Sequence, residues 1–364
     1  MSSVAFVIGT TAEIIKIAYV KAELELLGIR CEIWSTQQQA GELEGTLVTF
    51  FDSAYCRKLS NTEKSLETKR QVLLWALSNF QSILRIKRSK NMNVPDAFIV
   101  QGDTMSTVIG TIAGKLLSKP VVHIEAGLRS GDWKSPFPEE LSRRFVGRMA
   151  TLHLAPDTKS FNNLQNSPGH VVNTFGNTGI DALKVHILEN SSVRRVSRET
   201  RPNVIVVLHR TELISRKGVF GATINLLDKL SLDFNVTLTL DAPSAKAYSE
   251  LKKNRLTAGG SDLKVIPKLK FPLFVELLAE TDFVITDSGG LQEECSRLGI
   301  PCFIHREVSE RLDGIGENAV LTNMDVSKLE ELVKNWRDLK RLQNWPEFSP
   351  SKICAQEVYG LLTK

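Results

Sequence analysis

Short apolar runs rich in β-branched residues alternate with helix-patterned stretches along nearly the whole chain. No other feature constrains the fold as much. In the first half the runs lie near Val4–Ile8, Cys31–Ser35, Ala97–Val100, Val121–Glu125 and Leu152–Ala155, with helical stretches such as Glu13–Leu27 and Thr104–Leu117 between them. The second half repeats the pattern near Val204–Leu208, Asn235–Leu240, Lys264–Ile266, Phe283–Thr286 and Cys302–Ile304. Apolar strands separated by helices read as parallel sheets covered on both faces. Two such series in 364 residues predict an α/β protein built from two doubly wound, Rossmann-like domains. The expected boundary is Ser167-Pro168-Gly169, giving domains 1–168 and 169–350, or slightly later in the polar stretch Asn190–Asn203. The last segment, 351–364, is patterned as a helix through Ile353, Val358 and Leu361 and is expected to pack back onto the first domain. In open parallel sheets, ligands bind beyond the carboxyl ends of the strands. The chemistry is therefore expected in a cleft between the domains.

Lys and Arg number 46 against 41 Asp and Glu, a net charge of +5. That excess suits a small anionic substrate and is too weak to argue for nucleic acid. The basic stretches Arg85–Lys90 and Arg194–Arg201 read as solvated surface. No apolar run is long enough to span a membrane. The first run begins at Val4, which leaves no room for a signal peptide. Cys31, Cys56, Cys295, Cys302 and Cys354 show no CxxC spacing and read as reduced thiols in a cytoplasmic protein.

The run Phe283–Thr286 leads into Asp287-Ser288-Gly289-Gly290-Leu291-Gln292-Glu293-Glu294. A strand ending in a small-residue turn that opens a helix points backbone N–H groups outward, where the helix dipole favours negative charge. Ser288, Gly289 and Gly290 are thus candidates for seating a phosphate or diphosphate. Glu294, about one turn on, is placed to hold ribose hydroxyls. Glycine used only for tight packing is the plainer alternative. The first strand ends in Gly9-Thr10-Thr11-Ala12-Glu13, and Lys16 follows where it can meet an anion at the helix start.

Gln101-Gly102-Asp103-Thr104 follows the strand near Ala97, and Asp103 suits either a helix cap or a cleft acid. Glu125 follows the apolar Val121–Ile124 directly, where a charge is costly without a partner or a task. In Ser135-Pro136-Phe137-Pro138-Glu139-Glu140-Leu141-Ser142-Arg143 the prolines set a helix start, and Glu139 and Arg143 share one helix face as a potential ion pair. Asp103, Glu125 and Glu139 at one cleft edge would raise one another's pKa, making acid/base candidates. His209 ends the strand Val204–Leu208 as an acid, base or phosphate ligand. Arg311 follows the strand Cys302–Ile304 and is placed to serve the same ligand as Ser288 and Glu294.

These segments together resemble the non-hydrolysing UDP-N-acetylglucosamine 2-epimerases, a GT-B-fold family, over most of the chain and in matching order. The strongest parts are Gln101–Thr104, His123–Gly131, Ser135–Glu140, Gly176-Asn177-Thr178 with Ile180–Leu183, and Thr286–Glu294. The resemblance implies epimerisation at C2 of a UDP-N-acetylhexosamine, of the UDP-GlcNAc/UDP-ManNAc type, by elimination and re-addition of UDP, for surface or capsular polysaccharide precursors. It implies diphosphate binding at Ser288-Gly289-Gly290, ribose binding by Glu294, a place near the uracil for Phe274 and ligand contact by Arg311. It places Asp103, Glu125, Glu139, Arg143, Lys16 and His209 in the active site, with no metal and no redox cofactor. Dimers are common for such enzymes, so a homodimer is implied as well.

The sequence also departs from the family. The Gly-Thr-Arg-Pro-Glu motif is here Gly9-Thr10-Thr11-Ala12-Glu13, so Thr11 replaces a phosphate-proximal arginine, a loss of roughly 1.5–3 kcal/mol of binding. His-Arg-Arg-Glu-Asn has become His209-Arg210-Thr211-Glu212-Leu213. The regulatory Gly-Gln-His segment is Thr36-Gln37-Gln38, and His-x-Asn-Pro is Leu240-Asp241-Ala242-Pro243. Three readings follow: an epimerase with a changed sugar nucleotide and no allosteric site, a GT-B glycosyltransferase using the same cleft, or a binding protein. Retention of all three acids favours the epimerase, because transfer needs one catalytic acid or base at most.

Overall fold

In the computed structural model, residues 2–51, 56–62, 66, 68–89, 92–131, 138–189, 201–253, 262–309 and 311–363 are described. The first apolar run forms β1 (Ser3–Ile8), and Thr10 caps α1 (Thr11–Leu26). There follow β2 (Arg30–Ser35), α2 (Ala40–Phe50), β3 (Cys56–Lys58), α3 (Lys69–Arg88), β4 (Ala97–Gln101), α4 (Met105–Leu116) and β5 (Val121–Ile124). Then come α5 (Glu139–Met149), β6 (Leu152–Ala155), α6 (Thr158–Asn162), β7 (His170–Asn173) and α7 (Gly179–Glu189). The next series is β8 (Asn203–Val207), α8 (Thr211–Ile214), α9 (Lys217–Leu230), β9 (Asn235–Leu240), α10 (Ala242–Lys253), β10 (Lys264–Pro267) and α11 (Phe271–Ala279). It continues with β11 (Phe283–Thr286), α12 (Gly289–Leu298), β12 (Cys302–Ile304), β13 (Ala319–Leu321), α13 (Val326–Lys334) and α14 (Pro350–Thr363).

The strands form two sheets, ordered β3-β2-β1-β4-β5-β6-β7 and β10-β9-β8-β11-β12-β13. Neighbouring strands run parallel, as the β1–β4 and β8–β11 registers illustrate. Each sheet starts in the middle and winds out both ways, so strand order reverses between β1 and β4 and again between β8 and β11. Such reversals leave a crevice at the carboxyl ends, where this class of sheet binds ligands. Two Rossmann-like units in succession constitute the GT-B fold class.

The chain divides into two compact units, Met1–Ala182 with Pro346–Lys364, and Leu183–Trp345. The expected boundary at 168/169 falls inside the first unit, because β7 pairs with β6 and extends that sheet. Its sequence, His-Val-Val-Asn, is half-polar and only partly buried, so it carries a weak strand signal. The three-residue strands β3 and β13 are equally faint. Most of the alternative junction, residues 190–200, lies outside the described residues, as does nearly all of the basic stretch Arg194–Arg201.

Alternation along β1 shows how the first sheet is covered. Val4, Phe6 and Ile8 face a core with Ile14 and Ile17 of α1 and Cys354, Ala355 and Val358 of α14. Ala5 and Val7 face the other core with Trp75 and Ile83 of α3 and Ile109 and Ala113 of α4. Each fully buried large side chain contributes about 1.5–3 kcal/mol. The C-terminal helix thus packs on α1 in the first unit. No described helix is long and apolar enough to cross a membrane.

Candidate active site

Glu125 stands where β5 stops. Its φ of 61° lies in the left-handed region, where a side chain costs of order 1–3 kcal/mol and persists only if its surroundings hold it. They do. The Lys16 ammonium reaches Glu125 Oε2 at 2.5 Å, and the Gln101 side-chain amide donates to the same oxygen. The Asn177 amide donates to Oε1 at 2.6 Å. These partners come from α1, from the last residue of β4 and from the turn before α7. Only 5% of the Glu125 side chain is exposed. The anion that Lys16 meets in this structure is therefore the Glu125 carboxylate.

Asp103 leaves the sheet at the same level. Gln101 is in register with Ile124, so the β4 turn lies beside Glu125, and a Cβ on Gly102 would sit 3.6 Å from Glu125 Oε2. Asp103 Oδ2 accepts from Arg143 Nε at 2.8 Å and Nη2 at 2.7 Å. The same guanidinium approaches Glu140 at 3.5 Å. The ion pair expected between Glu139 and Arg143 is thus replaced by Asp103 and Glu140 as the arginine's partners. Glu140 is fully buried and also accepts from Arg144 at 2.9 Å and from the Ser130 amide at 3.2 Å. It anchors the α5 start to the loop after β5.

Glu139 opens α5 and differs from its neighbours. Its Oε2 is buried and has no hydrogen-bond partner among the described residues. A carboxylate oxygen in that position is costly unless something else binds it. Ser135, Pro136 and Phe137 lie outside the described residues.

The first helix start is braced from within. Thr10 and Glu13 form a capping box. Glu13 Oε2 accepts from the Gly9 and Thr10 amides at 2.7 and 2.8 Å, and Oε1 accepts from the Thr104 hydroxyl at 2.6 Å. Burial outweighs these bonds and pushes the Glu13 carboxyl above its ordinary range. A Cβ on Gly9 would lie 1.9 Å from Ser106 Oγ and 2.3 Å from Thr36 Oγ1, so only glycine fits. The Thr11 amide faces Gln39 Oε1 at 3.4 Å.

In the second unit the β8 and β11 ends meet through Asp287. Its wholly buried carboxylate accepts from the His209 amide at 3.0 and 3.1 Å and from the Arg210 amide at 2.8 Å. His209 Nδ1 lies 3.8 Å from Asp287 Oδ1. Burial pushes the His209 imidazole below its ordinary value, and Asp287 works against that.

Ser288 caps α12, its hydroxyl 3.5 Å from the Leu291 amide, and Gly289 and Gly290 are the first helical residues. The first N–H groups of a helix have no intrahelical acceptor, and the dipole is positive there. Arg311 adds a full charge: a Cβ on Gly289 would meet its Cδ and Nε at 3.3 Å. Glu293 holds Arg311 Nη1 at 2.5 Å. Gln292 accepts from the Ser309 hydroxyl at 2.7 Å and donates to the Arg311 carbonyl at 3.2 Å. Glu294 is half-buried on the same helix, and Phe274 of α11 packs on the core that holds Leu291.

The family model for UDP-N-acetylglucosamine 2-epimerase matches residues 42–351. The chain belongs to this family. The UDP-N-acetylglucosamine 2-epimerase of Bacillus subtilis is 30% identical over 336 residues, covering 90% of this chain and 85% of the relative. The Neisseria meningitidis UDP-GlcNAc 2-epimerase structure, bound to UDP-GlcNAc, is 25% identical with a TM-score of 0.82 and covers 99% of each chain. The Methanocaldococcus jannaschii enzyme in complex with UDP-GlcNAc and UDP has a TM-score of 0.81 at 23% identity, covering 99% of each chain, which shows the common fold. Members of this family are isomerases, and membership weighs against the glycosyltransferase alternative.

Reading the sequence did not single out Gln101, Asn177, Glu140, Asp287 or Glu293 for a role. For Asp287 a signal was present: like Glu125, it is an acid placed directly after an apolar parallel strand.

Proposed function

We propose that this member of the epimerase family inverts C2 of a UDP-N-acetylhexosamine by eliminating UDP and adding it back. A base removes the C2 proton. The C2–H electron pair becomes the C1=C2 double bond, and the C1–O bond pair leaves with UDP, giving a 2-acetamidoglucal. Re-addition returns UDP to C1 and a proton to the other face of C2. Proton delivery to both faces needs more than one acid/base group. The observation that carries this reading is the set of acids around β4, β5 and α5: Glu125 caged by three donors, Asp103 held by Arg143, and Glu139 with an unpartnered buried oxygen.

In this reading the first unit handles protons through Asp103, Glu125 and Glu139, with Lys16 and Arg143 balancing charge. The second unit handles the nucleotide. The Ser288-Gly289-Gly290 turn and Arg311 take the diphosphate, Glu294 the ribose and Phe274 the uracil, while His209 stabilises the departing charge. Thr11, at the capped start of α1, replaces an ionic phosphate contact with a neutral one. Incubation with UDP-GlcNAc in deuterated water should place deuterium at C2. No deuterium in any UDP-HexNAc, together with nucleotide release only when a sugar acceptor is added, would establish a transferase instead.

The family's regulatory second-nucleotide contacts are absent in this reading. Thr36 Oγ1 is 2.7 Å from Ser106 Oγ, and Gln38 Oε1 accepts that hydroxyl at 2.7 Å, so both side chains are committed to bracing α4. Asp241 caps α10 through Ser244. Rate against substrate concentration should be hyperbolic, without activation by traces of UDP-GlcNAc.

A further inference from the structure

The turn that carries Asp103 is pinned on both sides. Before Asp103, the Gln101 side chain donates to Glu125, and the Gln101 carbonyl accepts the Thr107 hydroxyl at 2.7 Å. The Gly102 amide donates to the Ile124 carbonyl at 3.0 Å, and the Gly102 carbonyl lies 2.7 Å from His123 Nε2. After Asp103, the Thr104 hydroxyl donates to Glu13 Oε1 at 2.6 Å, across 91 residues of sequence. The same hydroxyl oxygen accepts the Thr107 amide at 3.2 Å and so caps α4. A hydroxyl has one proton to give. Thr104 gives its proton to Glu13, and Thr107 gives its own to Gln101.

Glu13 does more than its own helix asks. In a capping box the third helical side chain accepts the N-cap amide. Glu13 Oε2 does this by itself, taking the Gly9 and Thr10 amides at 2.7 and 2.8 Å and the Thr10 hydroxyl at 3.1 Å. Oε1 is turned to another element, the start of α4. The capping box of α3 shows what the motif needs. There Thr68 and Gln71 make it at an exposed position with a neutral amide. Glu13 is instead completely buried, which is costly for a carboxylate unless it is fully bonded and has a task.

We propose that Glu13 is a positioning residue for Asp103, acting through Thr104. This rests on the reading of Asp103 as one of the acids that handle the C2 proton. Both Asp103 and Glu125 are then referenced to one helix, α1: Glu125 through Lys16, and Asp103 through Thr104 and Glu13. Lys16 and Glu13 stand one turn or less apart on α1, so the spacing of the two acids is set by a rigid element. A reacting group displaced by about 1 Å loses on the order of 100-fold in rate.

The test uses the full chain with Glu13→Gln, Thr104→Val, Thr104→Ser and the double variant Glu13→Gln with Thr104→Val. The glutamine can accept the Gly9 and Thr10 amides only by turning its NH₂ towards the Thr104 hydroxyl, whose proton then loses its acceptor. In deuterium entry at C2, kcat should fall roughly 10- to 100-fold in Glu13→Gln and in Thr104→Val, with KM and UDP affinity within about twofold of wild type. Thr104→Ser, which keeps the hydroxyl, should restore wild-type kcat. The double variant should be no slower than the slower single one, because both break the same link. Full kcat in Thr104→Val, or losses that multiply in the double variant, overturns the proposal. A Glu13→Gln variant with a lower melting temperature and full kcat overturns it too, since Glu13 then only caps α1. If Glu13→Gln does not fold, the valine and serine variants decide. Amide hydrogen exchange of residues 102–105 reads the turn without turnover. It should quicken at least ~10-fold in Glu13→Gln and Thr104→Val and stay slow in Thr104→Ser, and unchanged protection in the first two overturns the proposal. A wild type that takes up no deuterium at C2 counts against the proposed reaction, and the amide exchange still decides whether Glu13 holds the Asp103 turn.

Discussion

Asn177 donates its side-chain amide to Glu125 Oε1 at 2.6 Å, while its own side-chain oxygen accepts the Gly179 amide at 3.0 Å. One residue therefore ties the start of α7 to an acid in a strained turn. Replacing it removes a bond to a charged group, worth about 1.5–3 kcal/mol. Asn177→Ala should lower kcat roughly 10- to 100-fold with little change in KM. Asn177→Asp, which sets a second carboxylate against Glu125, should be worse. Equal activity in both variants, measured by C2 exchange, would show that Glu125 needs no such support.

Asp287 bears on His209 in the same way. Its carboxylate holds the His209 and Arg210 amides and opposes the burial that depresses the imidazole. Asp287→Asn keeps the shape and removes the charge. The His209 pKa should then fall further, and the limb of kcat/KM against pH that belongs to His209 should move acidward. A purely structural role would lower the melting temperature without moving that limb.

The strands of both sheets were legible where runs are apolar throughout, because burial on both faces leaves no room for polar residues. β3 and β7 were missed because short, partly polar strands leave no such run, and β13 because three apolar residues are too few to stand out. Residues at strand ends were legible as candidates by the same logic: Glu125 and His209 interrupt or terminate an apolar pattern. Their partners were not. Asn177 lies 52 residues from Glu125, and Asp287 lies 78 from His209, distances over which no local periodicity carries information. The helix rule paired Arg143 with Glu139, four residues away, whereas tertiary packing gave it Asp103, 40 residues away.

Arg311 and Glu293 form a nearly buried pair, with side chains 9% and 7% exposed. Arg311→Ala alone should weaken UDP binding by roughly 10- to 100-fold, from loss of a charge-assisted contact of about 1.5–3 kcal/mol. It should also destabilise the fold, because the buried Glu293 carboxylate loses one charge-assisted bond, a cost of about 1.5–3 kcal/mol. Adding Glu293→Gln should restore the melting temperature and leave UDP affinity low. Calorimetric titration with UDP beside thermal melts separates the two effects. Recovery of binding in the double variant would mean that Arg311 only supports the loop.

Acid sensitivity should come from buried histidines. Burial pushes the His123 and His305 rings down to about 4. His123 Nε2 lies 2.7 Å from the Gly102 carbonyl, and His305 lies between the Thr223 and Thr322 hydroxyls at 3.0 and 2.7 Å. In the unfolded chain each titrates near 6.5. Between those values the unfolded state binds more protons than the native one, so stability falls as pH drops from about 6.5 towards 4. The full effect is roughly 3 kcal/mol for each ring, and it is absent above neutrality. Melting temperature followed from pH 7 downward should therefore decline through this window. His305→Gln, which keeps an amide between the two threonines, should flatten part of that decline. An unchanged slope in the variant would place the acid sensitivity elsewhere.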